Sequence, residues 1–225
     1  MRILGVFAVV AVLAGCGSAA PRGAPTELPR ASLRPWVTAT AVTVPGAVSA
    51  GWQITVYYTA VQEYHRGEPE RVTGCPRLDC THGDDDLGIY PADFVAAVKS
   101  EGTGRTTSGA YLNWSFDVGY WLDTAPRDTE GNPLEPYVSA AADPGVLPHG
   151  TQFTIADCGR QDDGSAPPAA VCDAFRRAVW RIDDEFTPGL GGRKHIDAYV
   201  GPETGPAFTG SDLYVSLTGG TLRMG

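Results

Sequence analysis

The stretch Trp180–Gly201 reads WRIDDEFTPGLGGRKHIDAYVG and places acidic residues on both sides of a glycine-rich turn. Apolar and polar residues alternate over residues 194–200, which predicts a short β-strand with one aliphatic face. The opposite face carries His195, Asp197 and Tyr199. Asp197 therefore points away from the aliphatic side of the strand.

Two further carboxylates, those of Asp183 and Asp184, precede the turn. Val179 and Ile182 are apolar and β-prone, so the two aspartates are expected where a second strand ends. Carboxylates at strand ends beside a mobile loop are typical of functional sites, because loops carry function on a rigid support. The pattern alone does not decide which of the two aspartates faces a site.

Three acidic segments together resemble a known family. They are Ala141–Thr151, which contains Asp143, the pair Asp183 and Asp184, and His195–Tyr199, which contains Asp197. The set resembles the three aspartates of the three-aspartate domain, a double-psi β-barrel related to membrane-bound lytic transglycosylase A. This resemblance implies a mainly β fold, a six-stranded double-psi β-barrel with a few short helices.

The resemblance also implies roles for the acids. The C-terminal segment is similar to the part of the family that carries its catalytic aspartate, so Asp197 is the expected catalytic residue. Asp143 and one member of the preceding pair, for which we take Asp184 rather than Asp183, complete the expected catalytic group. The turn over residues 186–193 is longer than the family pattern, which keeps the choice within the pair open.

Glycan cleavage of the kind implied by this resemblance uses no water nucleophile. One carboxyl group gives a proton to the glycosidic oxygen and then takes one from the muramyl C6 hydroxyl, whose oxygen closes a 1,6-anhydro ring. Such an acid must be protonated near neutral pH, so burial or nearby like charge has to raise its pKa above the usual value of about 3.9. Asp143, together with Asp183 or Asp184, would supply that charge if the barrel gathers them beside Asp197. The alternative is glycosidase chemistry, in which a second carboxylate acts as base or nucleophile.

The candidates for substrate contact are polar and aromatic side chains on the predicted strands and loops: Tyr57, Thr59, Arg105, Trp121, Asp183 and His195. Tyr57, or its neighbour Tyr58, and Thr59 belong to a predicted strand that in the family lines the groove. An aromatic ring can stack on the apolar face of a pyranose, and a guanidinium can pair with substrate carboxylates. The alternatives are core packing for the aromatic residues and an ion pair within its own loop for Arg105.

The first residues of the chain indicate export. Arg2 precedes an apolar run over residues 3–13, and the run leads into Leu-Ala-Gly-Cys, which is similar to a bacterial lipobox. We therefore predict a lipoprotein signal peptide over residues 1–15 and lipidation of Cys16. The lipid would hold the exported protein on the membrane, facing the cell wall. A plain signal peptide with an incidental cysteine is the alternative.

Composition divides the rest of the chain into two parts. Residues 16–36 are rich in Pro, Ala, Arg and Ser without periodicity, which predicts a flexible tether. Residues 37–225 are long enough for one domain with a substantial core. We predict a single, monomeric double-psi β-barrel there, with loop insertions at about residues 62–135.

The charge of the chain limits its partners. The sequence has 17 basic and 26 acidic residues and a net charge of −9, and removal of the signal peptide takes away Arg2 and makes the charge −10. A nucleic-acid backbone would repel such a chain, so nucleic acid is excluded as a partner. The expected partner is peptidoglycan or a related glycan, bound through hydrogen bonds and local contacts without a cofactor.

Four cysteines remain apart from Cys16, an even number that suits an oxidising compartment. Of the three ways to pair them we favour the local one, which joins Cys75 to Cys80 and Cys158 to Cys172. Their spacing lacks the paired dyads of a structural zinc site, so no metal is expected.

Two classes of function stay open. The first is a peptidoglycan-cleaving, lytic-transglycosylase-like enzyme with Asp197 as general acid and base. The second is a barrel that binds cell-wall glycan without cutting it, similar to expansin-like modules. A grouped, buried set of aspartates in an open groove would favour the enzyme, whereas scattered or capped aspartates would favour the binding module.

Overall fold

The computed structural model describes residues 46–128 and 130–225. The predicted signal peptide, the predicted lipidation site Cys16 and the predicted tether lie outside these residues. Within them, no helix combines the length and the apolar character needed to cross a membrane.

The described part of the chain is mainly β. Its strands are β1 (Val48–Val61), β2 (Pro69–Gly74), β3 (Asp85–Pro91), β4 (Thr103–Arg105), β5 (Tyr111–Ser115), β6 (Gly119–Asp123), β7 (Ser139–Ala141), β8 (Gln152–Asp157), β9 (Arg160–Gln161), β10 (Trp180–Asp184), β11 (His195–Pro202) and β12 (Leu217–Met224). Its helices are α1 (Ala92–Glu101) and α2 (Ala169–Arg177), and single 3-10 turns form at Gln62–Tyr64 and Phe208–Gly210.

Six strands close into a barrel in the order β1, β11, β7, β10, β8 and β12, and β12 pairs again with β1. β1 runs parallel to β11, and β7 runs parallel to β10. The other four pairings in the barrel are antiparallel. The predicted mainly β fold with a six-stranded barrel is confirmed, and the two parallel pairs are consistent with the double-psi arrangement.

Strand β1 is long because it changes partners along its length. It pairs first with β12, then with β11, and at Ala60 and Val61 with β4. Gly51 lies at a register shift in the pairing with β12 and has a φ of +83°, a left-handed conformation that favours glycine. β1 therefore joins the barrel to the strands that lie beside it.

Fully buried aromatic and aliphatic side chains fill the core. Among them are Ile54, Phe153, Trp180, Ile196 and Leu217. Each such side chain contributes roughly 1.5–3 kcal/mol to folding by leaving water. Ile196 belongs to the aliphatic face predicted from the alternation in β11, which directs the neighbouring aspartate to the other face.

Residues 62–135, predicted as loop insertions, contain regular structure, and we call them the insertion. Strands β4, β5 and β6 extend the sheet from the end of β1, while β2 and β3 pair with each other. Helix α1 packs on β1, β4 and β5. The helix ends at Gly102, whose φ of +82° and 2.8 Å hydrogen bond from its N–H to the Val98 carbonyl form a left-handed cap.

Trp121 lies in a small core within the insertion, with Cys75 and Val118. Its side chain is 0% exposed. This corrects the expectation that Trp121 stacks on a sugar, because neither face of its ring is open to a ligand.

Both predicted disulfides are present. One joins Cys75 to Cys80 within the insertion, and the other joins Cys158, next to β8, to Cys172 in α2. The local pairing favoured from the sequence is confirmed.

Candidate active site

A cleft of about 160 Å³ lies between the barrel and the insertion. The barrel contributes Tyr57, Asp184 and Asp197 to its wall, and the insertion contributes Glu101 and Trp114. The segment that follows β10, residues 185–193, forms a third side through several of its residues. We call this segment the glycine loop.

Asp197 is held in the cleft by the pairing of two parallel strands. The register of β1 and β11 places Thr55 opposite Asp197, and the Thr55 hydroxyl donates a 2.8 Å hydrogen bond to Asp197 Oδ1. Burial raises the pKa of Asp197 to about 7, while the hydrogen bond from Thr55 opposes that rise. The carboxyl group can therefore both give and take a proton near neutral pH.

Asp184 lies in the same cleft because the end of β10 is bulged. The register with β7 shifts between Ile182 and Asp184, so one additional residue, Asp183, is accommodated there. Tyr57 Oη is buried, and Asp184 lies close enough to interact with it. Burial, Asp184 and then Asp197 raise the pKa of Tyr57, so a neutral hydroxyl faces the two carboxylates.

Asp183, the additional residue of the bulge, is buried in an ion pair that stabilises the fold. Its side chain is 3% exposed, and Oδ2 accepts a 2.7 Å hydrogen bond from Ser139 Oγ. Arg181 donates to both carboxylate oxygens, at 2.5 and 3.0 Å. Of the two aspartates that the sequence did not separate, the structure places Asp184 in the wall of the cleft and Asp183 in this ion pair.

Asp143 holds the glycine loop. Its Oδ2 accepts a 2.8 Å hydrogen bond from the Gly192 N–H. A Cβ on Gly191 would lie 2.0 Å from Asp143 Oδ1, so only glycine fits there without a shift. The structure thus places Asp143 against the loop rather than in the cleft wall beside Asp197.

His195 acts on the site through Thr55. Its Nε2 lies 2.8 Å from Thr55 Oγ1, and its ring packs on Phe186 of the glycine loop with centroids 4.5 Å apart. Burial lowers the pKa of His195. Hydrogen bonds with the backbone of Gly191 and Leu190 oppose this effect but are smaller. The imidazole therefore favours its neutral form more than a free histidine does.

Two more of the predicted substrate contacts, Thr59 and Arg105, lie outside the wall of the cleft. Thr59 is buried, and its Oγ1 lies 2.5 Å from Tyr199 Oη, so the hydroxyl is already engaged. Arg105 is an exposed residue at the end of β4, where it pairs with Val61 and Tyr111. Neither side chain belongs to the wall of the cleft described here.

Several residues that line the cleft were not among the predicted substrate contacts. Glu101 is the last residue of α1, and Trp114 and Phe116 come from β5 and the turn after it. Phe116 is 56% exposed, which leaves its ring open at the cleft. The dense aromatic composition of residues 111–122 was the available signal for the two rings, whereas nothing in the sequence pattern marked Glu101.

Fold and site together define a closed β-barrel protein with a partly buried acid in an open cleft. No protein-family model matches the sequence, and no curated protein matches it either. Among solved structures, the chain is similar to MltA, a lytic transglycosylase of Escherichia coli, in its complex with chitohexaose. The TM-score is 0.53, with 14% identity over 80% of this chain and 76% of that chain.

Two other solved structures also align. One is a membrane-bound lytic murein transglycosylase from Agrobacterium tumefaciens, with a TM-score of 0.48 and 12% identity over 77% of this chain and 73% of that chain. The other is the lytic transglycosylase LtgG of Burkholderia pseudomallei, with a TM-score of 0.41 and 14% identity over 77% of this chain and 71% of that chain. The likeness to MltA establishes a shared fold, and the role of each side chain has to be argued from this structure.

Proposed function

We propose that this protein cleaves the glycan strands of peptidoglycan in the manner of a lytic transglycosylase, with Asp197 as general acid and then general base. The observation that carries the proposal is the position of Asp197 in an open cleft, where burial raises its pKa to about 7. A general acid works best when its pKa lies near the working pH. The glycan bound to the MltA structure of the same fold supports a sugar chain as the occupant.

The reaction needs a single proton-transferring group. Protonated Asp197 gives its proton to the glycosidic oxygen, the bond from that oxygen to C1 breaks, and C1 becomes an oxocarbenium ion. The C6 hydroxyl oxygen of the same muramyl residue then attacks C1, and ionised Asp197 takes the proton which that hydroxyl loses. The products are a 1,6-anhydromuramyl end and a free hydroxyl on the leaving sugar, and Asp197 is protonated again.

Asp184 is the residue of the cleft suited to stabilise the positive charge at C1. A fixed carboxylate in a partly dehydrated site stabilises a developing cation without reorganisation at the moment of reaction. The neutral Tyr57 hydroxyl beside it interacts with Asp184 and helps to hold that carboxylate in place. Trp114 and Phe116 offer rings for stacking on pyranose faces, in place of the buried Trp121.

The cleft wall also contains basic side chains that could bind an anionic substrate. Lys99 and Arg127 line the cleft, and Lys99 Nζ lies 5.8 Å from the centre of the Trp114 ring. Arg127 is partly neutralised by Asp123, with 3.1 Å contacts to the carboxylate. Lys99 is therefore the better candidate for the lactyl or stem-peptide carboxylates of peptidoglycan. Lipidation of Cys16, export, and a monomer that works from the membrane on the cell wall belong to the same proposal.

A binding module without catalysis is the second candidate, and one observation favours it. Asp143 and Asp183 are engaged by the Gly192 N–H and by Arg181 with Ser139, so they brace the structure instead of joining Asp197. A barrel of this fold with capped aspartates could hold a glycan and release it unchanged.

The deciding experiment incubates the purified protein with purified peptidoglycan beside its Asp197→Asn variant. We expect 1,6-anhydromuramyl fragments in the mass spectrum from the wild type alone. Fragments with reducing muramyl ends would replace the transglycosylase with a hydrolase. Sedimentation of both proteins with the cell wall, without any released fragment, would establish the binding module instead.

A further inference from the structure

We propose that Glu101 is a second substrate-contacting acid of the cleft and that it acts in its protonated form, as a hydrogen-bond donor to an N-acetylated amino sugar. This inference rests on the proposed function and deepens it. Asp197 comes from the barrel and Glu101 from the insertion, so a glycan in the cleft would pass two acidic groups of different origin.

Glu101 is a buried residue in the wall of the cleft. It is the last residue of α1, is 8% exposed, and belongs to the wall of the same cleft as Asp197. The left-handed cap at Gly102 ends the helix immediately after it, which fixes where the side chain leaves the helix. A carboxyl group that is buried at a cleft wall has to be protonated, paired or hydrogen-bonded.

The partners of Glu101 are hydroxyl and amide groups. Ser100 Oγ lies 3.4 Å from its Oε1, and the Tyr58 backbone and the Tyr214 hydroxyl also hydrogen-bond with it. Within residues 46–128 and 130–225, no Lys, Arg or His forms an ion pair with it. The carboxyl group therefore has no fixed cation to keep it ionised.

Burial and the nearby charge of Asp197 outweigh the hydrogen bonds to Glu101 and favour its neutral form. Burial raises the pKa of Glu101 to about 8, and the negative charge of Asp197 on β11 adds to that rise. Hydrogen bonds from Tyr58 on β1, from Ser100 on α1 and from Tyr214 oppose it. Burial and the negative charge of Asp197 therefore both favour a protonated Glu101 while Asp197 is ionised.

A neutral carboxyl group offers a substrate what a carboxylate cannot. It donates one O–H hydrogen bond, which suits the carbonyl oxygen of an N-acetyl group or a sugar hydroxyl. It also leaves the ionised Asp197 without a second negative charge beside it, at the stage when Asp197 has to take a proton back. An ionised Glu101 would instead be the second carboxylate of glycosidase chemistry.

The test measures the binding of chitohexaose by calorimetry from pH 6 to pH 9, for the wild type, Glu101→Gln and Glu101→Ala. Glutamine keeps the shape and an N–H donor but cannot ionise, and Glu63→Gln on the exposed 3-10 turn is the matched control. We expect Glu101→Gln to bind within about threefold of the wild type at pH 6, and Glu101→Ala to bind at least about fivefold more weakly, the loss of roughly one hydrogen bond. Between pH 7 and pH 9 the wild type should weaken, whereas Glu101→Gln should not.

A second variant tests the coupling to the catalytic acid. Asp197→Asn removes the charge that helps to raise the pKa of Glu101, so its binding should weaken at a lower pH than that of the wild type. Circular dichroism of each variant confirms that it is folded.

Three outcomes would overturn the proposal. Glu101→Ala could bind as well as the wild type, Glu101→Gln could bind as weakly as Glu101→Ala at pH 6, or the wild type could fail to bind chitohexaose. Cleavage of peptidoglycan is measured in a separate assay. If the binding results hold and no 1,6-anhydromuramyl product forms, the proposed function fails while the role of Glu101 stands.

Discussion

Thr55 Oγ1 lies 2.8 Å from Asp197 Oδ1 and 2.8 Å from His195 Nε2, so one hydroxyl connects the candidate acid to an imidazole. A hydroxyl carries a single proton, and it can point toward only one of these neighbours at a time. When Asp197 is ionised, Thr55 donates to it, and His195 donates to Thr55 only in the tautomer that carries its proton on Nε2. When Asp197 is protonated, it can donate to Thr55, which then donates to a neutral His195.

Thr55→Val should move the proposed cleavage activity to higher pH. Loss of a hydrogen bond to an ionised group, worth about 1.5 kcal/mol, raises the pKa of Asp197 by roughly one unit, because that bond favours the carboxylate. The acid then stays protonated to a higher pH, and the alkaline limb of the profile of kcat/KM against pH shifts upward. Thr55→Ser keeps the hydroxyl and should leave the limb in place. An unchanged limb in Thr55→Val would show that this bond does not set the proton affinity of Asp197.

Asp197→Asn should stabilise the protein at alkaline pH and not at acid pH. Native Asp197 holds its proton up to about pH 7, whereas the unfolded chain loses it near pH 3.9, so the stability of the wild type falls as the pH rises between these values. Asparagine binds no proton and escapes this loss of about 2 kcal/mol, a figure reduced for partial exposure to solvent. Thermal unfolding should give a Tm for the variant roughly 4 °C or more above the wild type at pH 8 and no difference at pH 4. An equal gain at both pH values would contradict the buried, protonated acid.

Asp143→Ala should weaken substrate binding more than it slows chemistry. The change removes the acceptor for the Gly192 N–H and releases the glycine loop, which lines the cleft through Phe186 and Leu190. A lost hydrogen bond of about 1 kcal/mol corresponds to a rise in KM of roughly fivefold, with kcat within about twofold of the wild type.

The matched control is Asp143→Asn, because its amide oxygen still accepts the Gly192 N–H and should preserve KM. If Asp143 were instead a catalytic carboxylate, the asparagine and alanine variants would lose kcat alike. Steady-state kinetics on soluble peptidoglycan fragments separates the two cases.

Features set by local sequence were predictable. Alternation in β11 placed Asp197 on the face opposite Ile196, and the short sequence separations of the cysteines favoured the two disulfides that form. The barrel itself was inferred from resemblance, because no local pattern specifies which strands close a sheet.

Features set by tertiary structure were not predictable from pattern. The bulge at the end of β10 breaks the strict alternation, so the sequence could not tell which aspartate would face the cleft. Trp121 and Phe116 lie in one aromatic stretch, yet packing against Cys75 buries the first and leaves the second exposed. Glu101 reaches the cleft because β1 continues past the barrel and pairs there with β4, the strand that directly follows α1.

Asp183→Ala should destabilise the fold while the chemistry persists. The change leaves the fully buried Ser139 hydroxyl without its acceptor and Arg181 without its carboxylate, a loss of about 2–3 kcal/mol. The Tm should fall by roughly 4 °C or more, with kcat/KM within about threefold of the wild type below the transition. Asp183→Asn keeps an acceptor for Ser139 and loses only the charge. Its Tm should therefore lie between that of the wild type and that of Asp183→Ala. If Asp183→Ala kept the Tm of the wild type and lost activity, the second acid of the proposed mechanism would be Asp183 and not Asp184. Loss of a purely structural ion pair cannot produce that result.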